Sequence, residues 1–424
     1  MIRPDFLLSA RRNSTKGNLH LHRQPLSMPL LAGMLAGLAM IGPFTIDTYL
    51  PSFPAIGREL GMTPAQLQQT LSVYFLTFAV MTLFHGTLSD SFGRRPVILA
   101  SLAVYIAASI GCAAATDFGQ LLFFRVLQGT SAGAGMVVGR AVIRDSFEGH
   151  AAQRLMSLVT MIFGLAPAVA PVVVGWLQAW FGWQAVFLFL AGYGLLLLLI
   201  CWARLPETHA AAARQPFAVV PLSRNYLMLA RSRPLLLLCV GVGLNFAGFF
   251  IYIVSAPAFV YDLLGLNEKQ FAWLFLPGII GVMLGAFFSG RAAGILSPQR
   301  TIGIAYLIMF CAAAFNVAYS ALAAPALPWS VLPIMVYTVG MALAMPSMTL
   351  LALEIFPRNR GATSSLQGFL HSFLSSVSAG VISPLVSRAD ITLALAMTGL
   401  LSVGCLSWMM YLRIESKAAA HART

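Results

Sequence analysis

Residues 86–99 read GTLSDSFGRRPVIL, a short polar stretch between two long apolar ones. Residues 67–88 lead into it and residues 96–115 follow it, and each is long enough to cross a bilayer core of about 30 Å. Because Asp90, Arg94 and Arg95 cannot lie exposed in hydrocarbon, we expect a hairpin at the membrane surface. The glycines allow a tight reversal of the chain, and the two arginines favour the cytoplasmic side.

The composition extends this conclusion to the whole chain. Of its 424 residues, 59% are hydrophobic and only 9% are charged, and the mean hydropathy is +0.83. A soluble domain carries roughly 25% charged residues, so we expect an all-α integral membrane protein. The net charge of +13 does not indicate nucleic-acid binding, because the basic residues are dispersed over many loops.

The hydrophobic pattern predicts twelve spanning helices. Six lie before a basic central stretch, at residues 28–51, 67–88, 96–115, 119–143, 154–179 and 183–203. Six follow it, at residues 234–260, 270–290, 301–323, 329–353, 361–387 and 391–412. No polar segment between them is long enough to fold as a separate domain.

The positive charges predict the orientation of these helices. With the N-terminus inside, 22 of the 26 Lys and Arg residues fall on the cytoplasmic side, three fall outside, and Arg125 lies within a span. Such a bias is typical of a chain with both termini in the cytoplasm. The predicted layout is a tail, a six-helix bundle, a cytoplasmic linker, a second six-helix bundle and a tail, at 1–27, 28–203, 204–233, 234–412 and 413–424.

The polar stretch also resembles the signature loop of the major facilitator superfamily, G-x-L-x-D-x-x-G-R-R. The matching residues are Gly86, Leu88, Asp90, Gly93, Arg94 and Arg95. The resemblance implies two pseudo-symmetric six-helix halves that rock around a central site. It also implies a conformational latch, in which Asp90 takes charge-assisted bonds from a facing helix end or from arginines. Ser91 stands where relatives often carry a third arginine, which leaves one cation fewer for that latch.

A narrower resemblance is to the bicyclomycin/chloramphenicol-resistance (Bcr/CflA) branch of the drug:H+ antiporters. It is carried by 47–51 (DTYLP), 125–129 (RVLQG), 140–145 (RAVIRD), 255–259 (SAPAF) and 361–368 (GATSSLQG). It implies a multi-pass exporter of small amphiphilic compounds in the bacterial inner membrane, coupled to protons and needing no other cofactor. It also extends the latch to Arg140, Arg144 and Asp145.

Asp47 and Arg125 are the acid and the base that lie well inside predicted spans. A charged Asp at mid-helix costs about 2.5–3.5 kcal/mol on insertion scales, so an acid there is a functional candidate. Both lie at similar depth and are expected to pair directly or through water. We therefore predict Asp47 as the proton site and Arg125 as its modulator, a role that the family resemblance also implies for this Arg. The alternatives are an Asp47 that only caps or pairs structurally, and a static ion pair.

A substrate cavity is expected to be lined by aromatic residues and a few polar groups. The candidates are Tyr49, Tyr74, Gln128, Asn245, Phe246, Phe249, Tyr252, Tyr337, Gln367 and His371, although ordinary packing also explains each of them. His371 is in addition a candidate second titrating group. The fifth segment carries Gly164, Pro167, Pro171 and Gly175, which resemble the antiporter motif of that helix and permit bending. No cysteine or histidine spacing suggests a metal site.

Other function classes remain as alternatives. An importer or exporter of one specific metabolite is the nearest, because the fold does not dictate substrate or direction. A membrane-embedded enzyme would need a nucleophile with its base, or metal ligands, and no such motif occurs in the sequence. A membrane sensor would normally add a soluble output domain, which the layout lacks. We expect a small-molecule substrate, the lipid bilayer as surroundings, no nucleic-acid partner and a monomer.

Overall fold

The computed structural model describes residues 28–147, 155–156, 158–159, 170, 177–178, 180–214, 216–267 and 270–421. These residues form helices, turns and loops, and no strand occurs among them. In the first half the helices are α1 (Met28–Asp47), α2 (Phe53–Glu59), α3 (Pro64–Phe92), α4 (Arg94–Ala113), α5 (Phe118–Ala132), α6 (Ala134–Ser146) and α7 (Gln184–Arg204).

A linker helix precedes the second half. It is α8 (Val219–Ala230), and the helices after it are α9 (Arg233–Val254), α10 (Ala272–Ala292), α11 (Pro298–Leu322), α12 (Leu332–Ile355), α13 (Arg360–Val377), α14 (Ser383–Val386) and α15 (Asp390–His421). Two π-helical turns, Ala258–Leu263 and Ser378–Ile382, follow α9 and α13.

Eleven helical segments of the described chain are long and apolar enough to cross a membrane. They match eleven of the twelve predicted spans, with α5 and α6 together forming one of them. The predicted span at 154–179, with Gly164, Pro167, Pro171 and Gly175, lies mostly outside the described residues.

Local capping explains where several helices begin. Thr63 Oγ1 accepts a hydrogen bond from the Gln66 backbone N–H, Gln66 Oε1 accepts one from the Thr63 backbone N–H, and Pro64 occupies the first turn of α3. The side chains of Asp117 and Ser297 each accept one backbone N–H bond at the starts of α5 and α11. These residues satisfy backbone donors that a membrane helix cannot leave unpaired.

The two halves meet along α3 and α13. Gln68 donates to Ser383 Oγ (2.6 Å), and Ser72 and Ser376 each donate to the other's backbone carbonyl (2.8 Å). We call these four residues the cross-half contact. The Gln68–Ser383 bond is buried, the two Ser72–Ser376 bonds are partly buried, and all three are uncharged, so this part of the interface is held by neutral polar groups.

The polar stretch at 86–99 is tighter than the predicted hairpin loop. Helix α3 continues to Phe92, so Gly86 and Asp90 are helical rather than in a loop. Only Gly93 leaves the helical path, with φ of 101°, before α4 begins at Arg94. A residue with a side chain would be strained at this φ, so one glycine makes the whole reversal.

Candidate functional site

Arg125 on α5 is fully buried between two tyrosine rings. Its guanidinium carbon lies 4.5 Å from the ring centroid of Tyr49 and 4.5 Å from that of Tyr74. Its Nη1 donates to Gln128 Oε1 at 2.6 Å, one turn further along the same helix. Cation–π contacts and one amide oxygen thus hold the charge in place.

The surroundings of Arg125 are polar but contain no carboxylate partner. Gln128 Nε2 donates to Ser109 Oγ (2.9 Å), and the Tyr49 hydroxyl bonds to Thr70 Oγ1 (2.7 Å). Within the described part of the chain, Arg125 Nε and Nη2 have no hydrogen-bond partner. Burying a cation without an anion is costly, so this arrangement needs a compensating role.

Asp47, the last residue of α1, is also buried, with 6% of its surface exposed. It makes no hydrogen bond or ion pair with the residues that the structure describes, and no Asp47 oxygen lies within 4.0 Å of an Arg125 nitrogen. Of the two expected arrangements, direct pairing is therefore absent here. The Tyr49 and Tyr74 rings cover the Arg125 guanidinium instead. Tyr74 also lies within the range of electrostatic interaction with Asp47. Pairing through water remains a prediction.

The predicted latch is centred on Arg94, which is 3% exposed. Its Nη1 donates to Asp90 Oδ1 and to Ser89 Oγ (2.7 Å), and its Nε donates to Asp145 Oδ2 (2.9 Å). The structure thus brings Asp90, Arg94 and Asp145 together. All three lie in the first half, so the contact does not bridge the halves in this conformation.

A residue that the sequence analysis did not single out completes this group. Glu207, in the segment after α7, accepts hydrogen bonds from the backbone N–H groups of Arg94 (2.9 Å) and Arg95 (3.2 Å). It therefore caps the N-terminus of α4, and a Cβ at Gly93 would lie 2.5 Å from its Oε2. Its position in a polar linker more than 100 residues from Gly93 gave no local signal of this contact.

The side chains of the other three latch arginines make no bond within this network. Arg95 Nη2 donates to the Trp202 carbonyl (2.6 Å). Arg140 lines a cavity of about 130 Å³ beside Gly135 and Gly139 on α6. Arg144 is exposed and makes no ion pair with the described residues. The structure thus assigns the contact to Arg94 rather than to all four arginines.

Most cavity candidates are occupied by contacts within the protein. Tyr49, Tyr74, Tyr252 and Tyr337 are fully buried, and Tyr252 accepts a hydrogen bond from Asn316 Nδ2 (2.7 Å). Of the remaining candidates, Gln128 lies in the first half and bonds to Arg125 and Ser109, and the others lie in the second half. Asn245 accepts a hydrogen bond from the Tyr337 hydroxyl at its backbone carbonyl (2.9 Å), and its Nδ2 donates to Tyr306 (3.1 Å). Gln367 Nε2 donates to Thr349 (2.8 Å). The Phe249 ring lies beside Gly278.

Phe246 and His371 are partly exposed and contact each other, with ring centroids 4.2 Å apart. Of the ten candidates, only these two and Phe249 are partly exposed, so they remain the ones that a substrate could contact. The role of His371 as a titrating group remains a prediction.

Comparison with known proteins agrees with this architecture. The family model "Major Facilitator Superfamily" matches residues 34–380. The chain is 31% identical over 85% of its length to an uncharacterised MFS-type transporter, YdgK, of Bacillus subtilis, covering 89% of that protein. It is 30% identical over 78% of its length to the multidrug resistance protein MdtL of Escherichia coli, covering 82% of it.

A third relative and a solved structure extend the comparison. A bicyclomycin resistance protein homolog of Haemophilus influenzae is 30% identical over 64% of this chain and 69% of its own length. A bacterial homolog of the human lysosomal transporter Spinster, solved in an inward-facing occupied conformation, superposes with a TM-score of 0.69 at 16% identity, over 92% of this chain and 96% of that one. At this identity the superposition shows the fold alone. Together with the helical architecture, the family match shows that this chain is a membrane transporter, not an enzyme, and belongs to the Major Facilitator Superfamily, with relatives that fit the expected Bcr/CflA-like branch.

Proposed function

We propose that this protein is a proton-coupled exporter of small amphiphilic drugs or metabolites in the bacterial inner membrane, working as a monomer with both termini in the cytoplasm. Asp47 is its proton site and Arg125 is the modulator. The observation that carries the proposal is the pair of buried ionisable side chains, Asp47 and Arg125, neither of which has an ion-pair partner among the described residues. Such groups are expensive in a membrane protein and mark coupling sites. The names of the bicyclomycin- and multidrug-resistance relatives support the substrate class.

The geometry supports a simple coupling step. Asp47 has no hydrogen-bond donor within the described structure, so in this conformation its neutral, protonated form is favoured by burial. Arginine side chains keep their charge in proteins, and the Arg125 guanidinium is covered by the Tyr74 ring. A movement that brings the guanidinium into contact with Asp47 would favour the ionised carboxylate of Asp47, which would then release its proton. Alternating access then couples this release to movement of the drug.

The test uses inside-out membrane vesicles with an acidified lumen. Addition of ethidium or chloramphenicol should release protons from vesicles that contain the protein, and Asp47→Asn should abolish the release. The matched control is Asp262→Asn, the same chemical change at an exposed residue of the π-helical turn after α9. Full drug-driven proton release by Asp47→Asn would contradict the assignment.

The vesicle result also separates the nearest alternative. If a panel of unrelated drugs releases no protons while one metabolite does, the protein is a carrier for that specific metabolite. A drug-susceptibility panel in cells that lack their main efflux pumps, with and without the protein, then identifies the substrate range. Export predicts higher resistance in the cells that contain it.

A further inference from the structure

A second buried carboxyl lies in the other half of the molecule. Asp390, the first residue of α15, is 5% exposed. Its Oδ2 accepts a hydrogen bond from Ser320 Oγ at 2.9 Å, whereas its Oδ1 has no partner among the described residues. The other described acids of residues 233–421, which are Asp262, Glu354 and Glu415, are exposed. Asp390 is thus the one buried acid in that part of the structure.

The neighbours of Asp390 form a small polar group that we call the Asp390 cluster. It consists of Asp390, Ser320, Asn316 and Tyr252. Ser320 and Asn316 are one turn apart on α11, so their side chains share a face of that helix. Asn316 Nδ2 donates to the Tyr252 hydroxyl (2.7 Å), and the Asp390 carboxyl lies close enough to Tyr252 to act on it electrostatically.

If Asp390 is ionised, the cluster leaves its carboxylate unsatisfied. Both Asp390 Oδ1 and the Asn316 side-chain oxygen are buried and unpartnered within the described structure. The Ser320 hydroxyl proton is already used, and neither the second Asn316 amide proton nor the Tyr252 hydroxyl proton makes a hydrogen bond to these two oxygens. A proton on Asp390 removes the buried charge, and an unpartnered neutral carboxyl oxygen costs less to bury than an unpartnered carboxylate oxygen.

The charges nearby point the same way. No Lys, Arg or His of the described chain makes an ion pair with Asp390, and Arg388 is exposed. The other titratable side chain of the cluster is Tyr252 on α9, which offers no positive charge to the carboxyl. The N-terminus of α15 favours an anion, but this effect is smaller than the cost of burying an unpaired charge.

We propose that Asp390 is a second proton-binding site, located in the C-terminal half. Its neutral form is favoured by the uncharged surroundings that Ser320, Asn316 and Tyr252 provide. This assignment does not depend on the role of Asp47, because it concerns the protonation state of the resting protein. It differs from the Asp47 site in its surroundings, since no Lys, Arg or His of the described residues forms an ion pair that would stabilise the ionised form, whereas Asp47 shares its half with the buried Arg125.

Infrared spectroscopy of the purified full-length protein tests the proposal directly. A protonated carboxyl gives a carbonyl-stretch band that an ionised one lacks. At neutral pH, Asp390→Asn should lose one such band that Asp262→Asn retains. The band should persist in Asp47→Asn, so failure of the proposed proton exporter and failure of this proposal are separate results. An unchanged spectrum in a folded Asp390→Asn protein would overturn the proposal.

A second variant keeps the test decisive if Asp390→Asn does not fold. Ser320→Ala removes the donor to Oδ2, and a protonated Asp390 should answer with a shift of its carbonyl band to higher frequency. No shift in Ser320→Ala means an ionised Asp390 and overturns the proposal. A band that appears only when sodium is removed also overturns it, because the oxygen-rich cluster would then be a cation site.

Discussion

The two halves each surround one polar side chain with tyrosines, but only the first half places a charge there. Arg125 lies between Tyr49 and Tyr74, whereas Asn245 bonds to Tyr306 through its side chain and to Tyr337 through its carbonyl. A buried neutral amide costs less than a buried guanidinium, even though Asn245 Oδ1 has no partner among the described residues. The difference supports the proposal that the first half carries the coupling chemistry and that the Asn245 group of the second half stabilises packing.

The sharpest test of this comparison exchanges the two central side chains for apolar ones. Arg125→Met should reduce drug-driven proton release to that of empty vesicles. Its stability should change by less than about 2 kcal/mol, because the lost Gln128 bond is offset by removal of a buried charge. Asn245→Ala should retain coupling and lose about 1–3 kcal/mol of stability. Proton release and thermal unfolding in detergent measure both effects. Coupling that survives Arg125→Met but fails in Asn245→Ala would reverse the assignment.

The halves agree much more closely in how their helices pack. A Cβ at Gly129 on α5 would lie 2.1 Å from Thr77 Oγ1 and 2.4 Å from the Tyr74 carbonyl of α3. A Cβ at Gly281 on α10 would lie 2.0 Å from Thr338 Oγ1 and 2.2 Å from the Met335 carbonyl of α12. Each glycine faces a threonine and the carbonyl three residues before it. Both contacts let two backbones approach closely, as small residues do in membrane helices.

We expect Gly129→Ala and Gly281→Ala to destabilise the protein equally, by about 1–3 kcal/mol each, because the added methyl meets backbone atoms that cannot move aside. Thermal unfolding of the purified variants measures the loss. Gly399→Ala is the control, since nothing lies within 4 Å of a Cβ at that position. A large difference between the two variants would show that the halves are not equivalent in packing.

The sequence predicted the spans well because each is set by a local apolar run. Eleven segments match, and the reversal at Gly93 lies between the expected helices. The sequence is less informative where a contact joins residues that are distant in the chain. Glu207 caps α4 from more than 100 residues away, and Asp390 lies one residue before the predicted twelfth span. Hydropathy reports whether a residue suits the membrane, but it does not report which side chain it faces.

Of the two expected arrangements of Asp47 and Arg125, direct pairing is absent in this conformation, and the reason is physical. Depth within the membrane was estimated from sequence position, and depth alone does not fix the direction of a side chain. The rings of Tyr49 and Tyr74 occupy both faces of the guanidinium. Tyr49 itself bonds to Thr70 on α3 and packs against Phe187 on α7, and a single-segment pattern does not describe such contacts.

The connections after the second membrane-spanning helix of each half, which are α3 and α10, offer a third comparison. In the first half the distant carboxylate of Glu207 caps α4, whereas in the second half the local Ser297 caps α11 through the Arg300 N–H (3.3 Å). Glu207→Gln and Ser297→Ala should each cost about 0.5–2 kcal/mol. Only Glu207→Gln should also free the linker, which limited proteolysis at Arg214 would detect as faster cleavage. Equal protease resistance in both variants would contradict a tethering role for Glu207.

The smallest effect is expected where the halves touch. The cross-half contact uses neutral hydrogen bonds, each worth about 0.5–1.5 kcal/mol, and transport must break it in every cycle. Ser72→Ala should therefore raise the population of molecules in which the two halves are separated at the cross-half contact by roughly 2- to 13-fold. The midpoint of thermal unfolding should stay almost unchanged. Spin labels at the exposed positions 69 and 385 report the distance between the halves. Ser402→Ala, whose hydroxyl bonds within its own helix, should leave that distance unaltered. If Ser72→Ala changes the unfolding midpoint but not the distance, the contact supports folding and does not separate during transport.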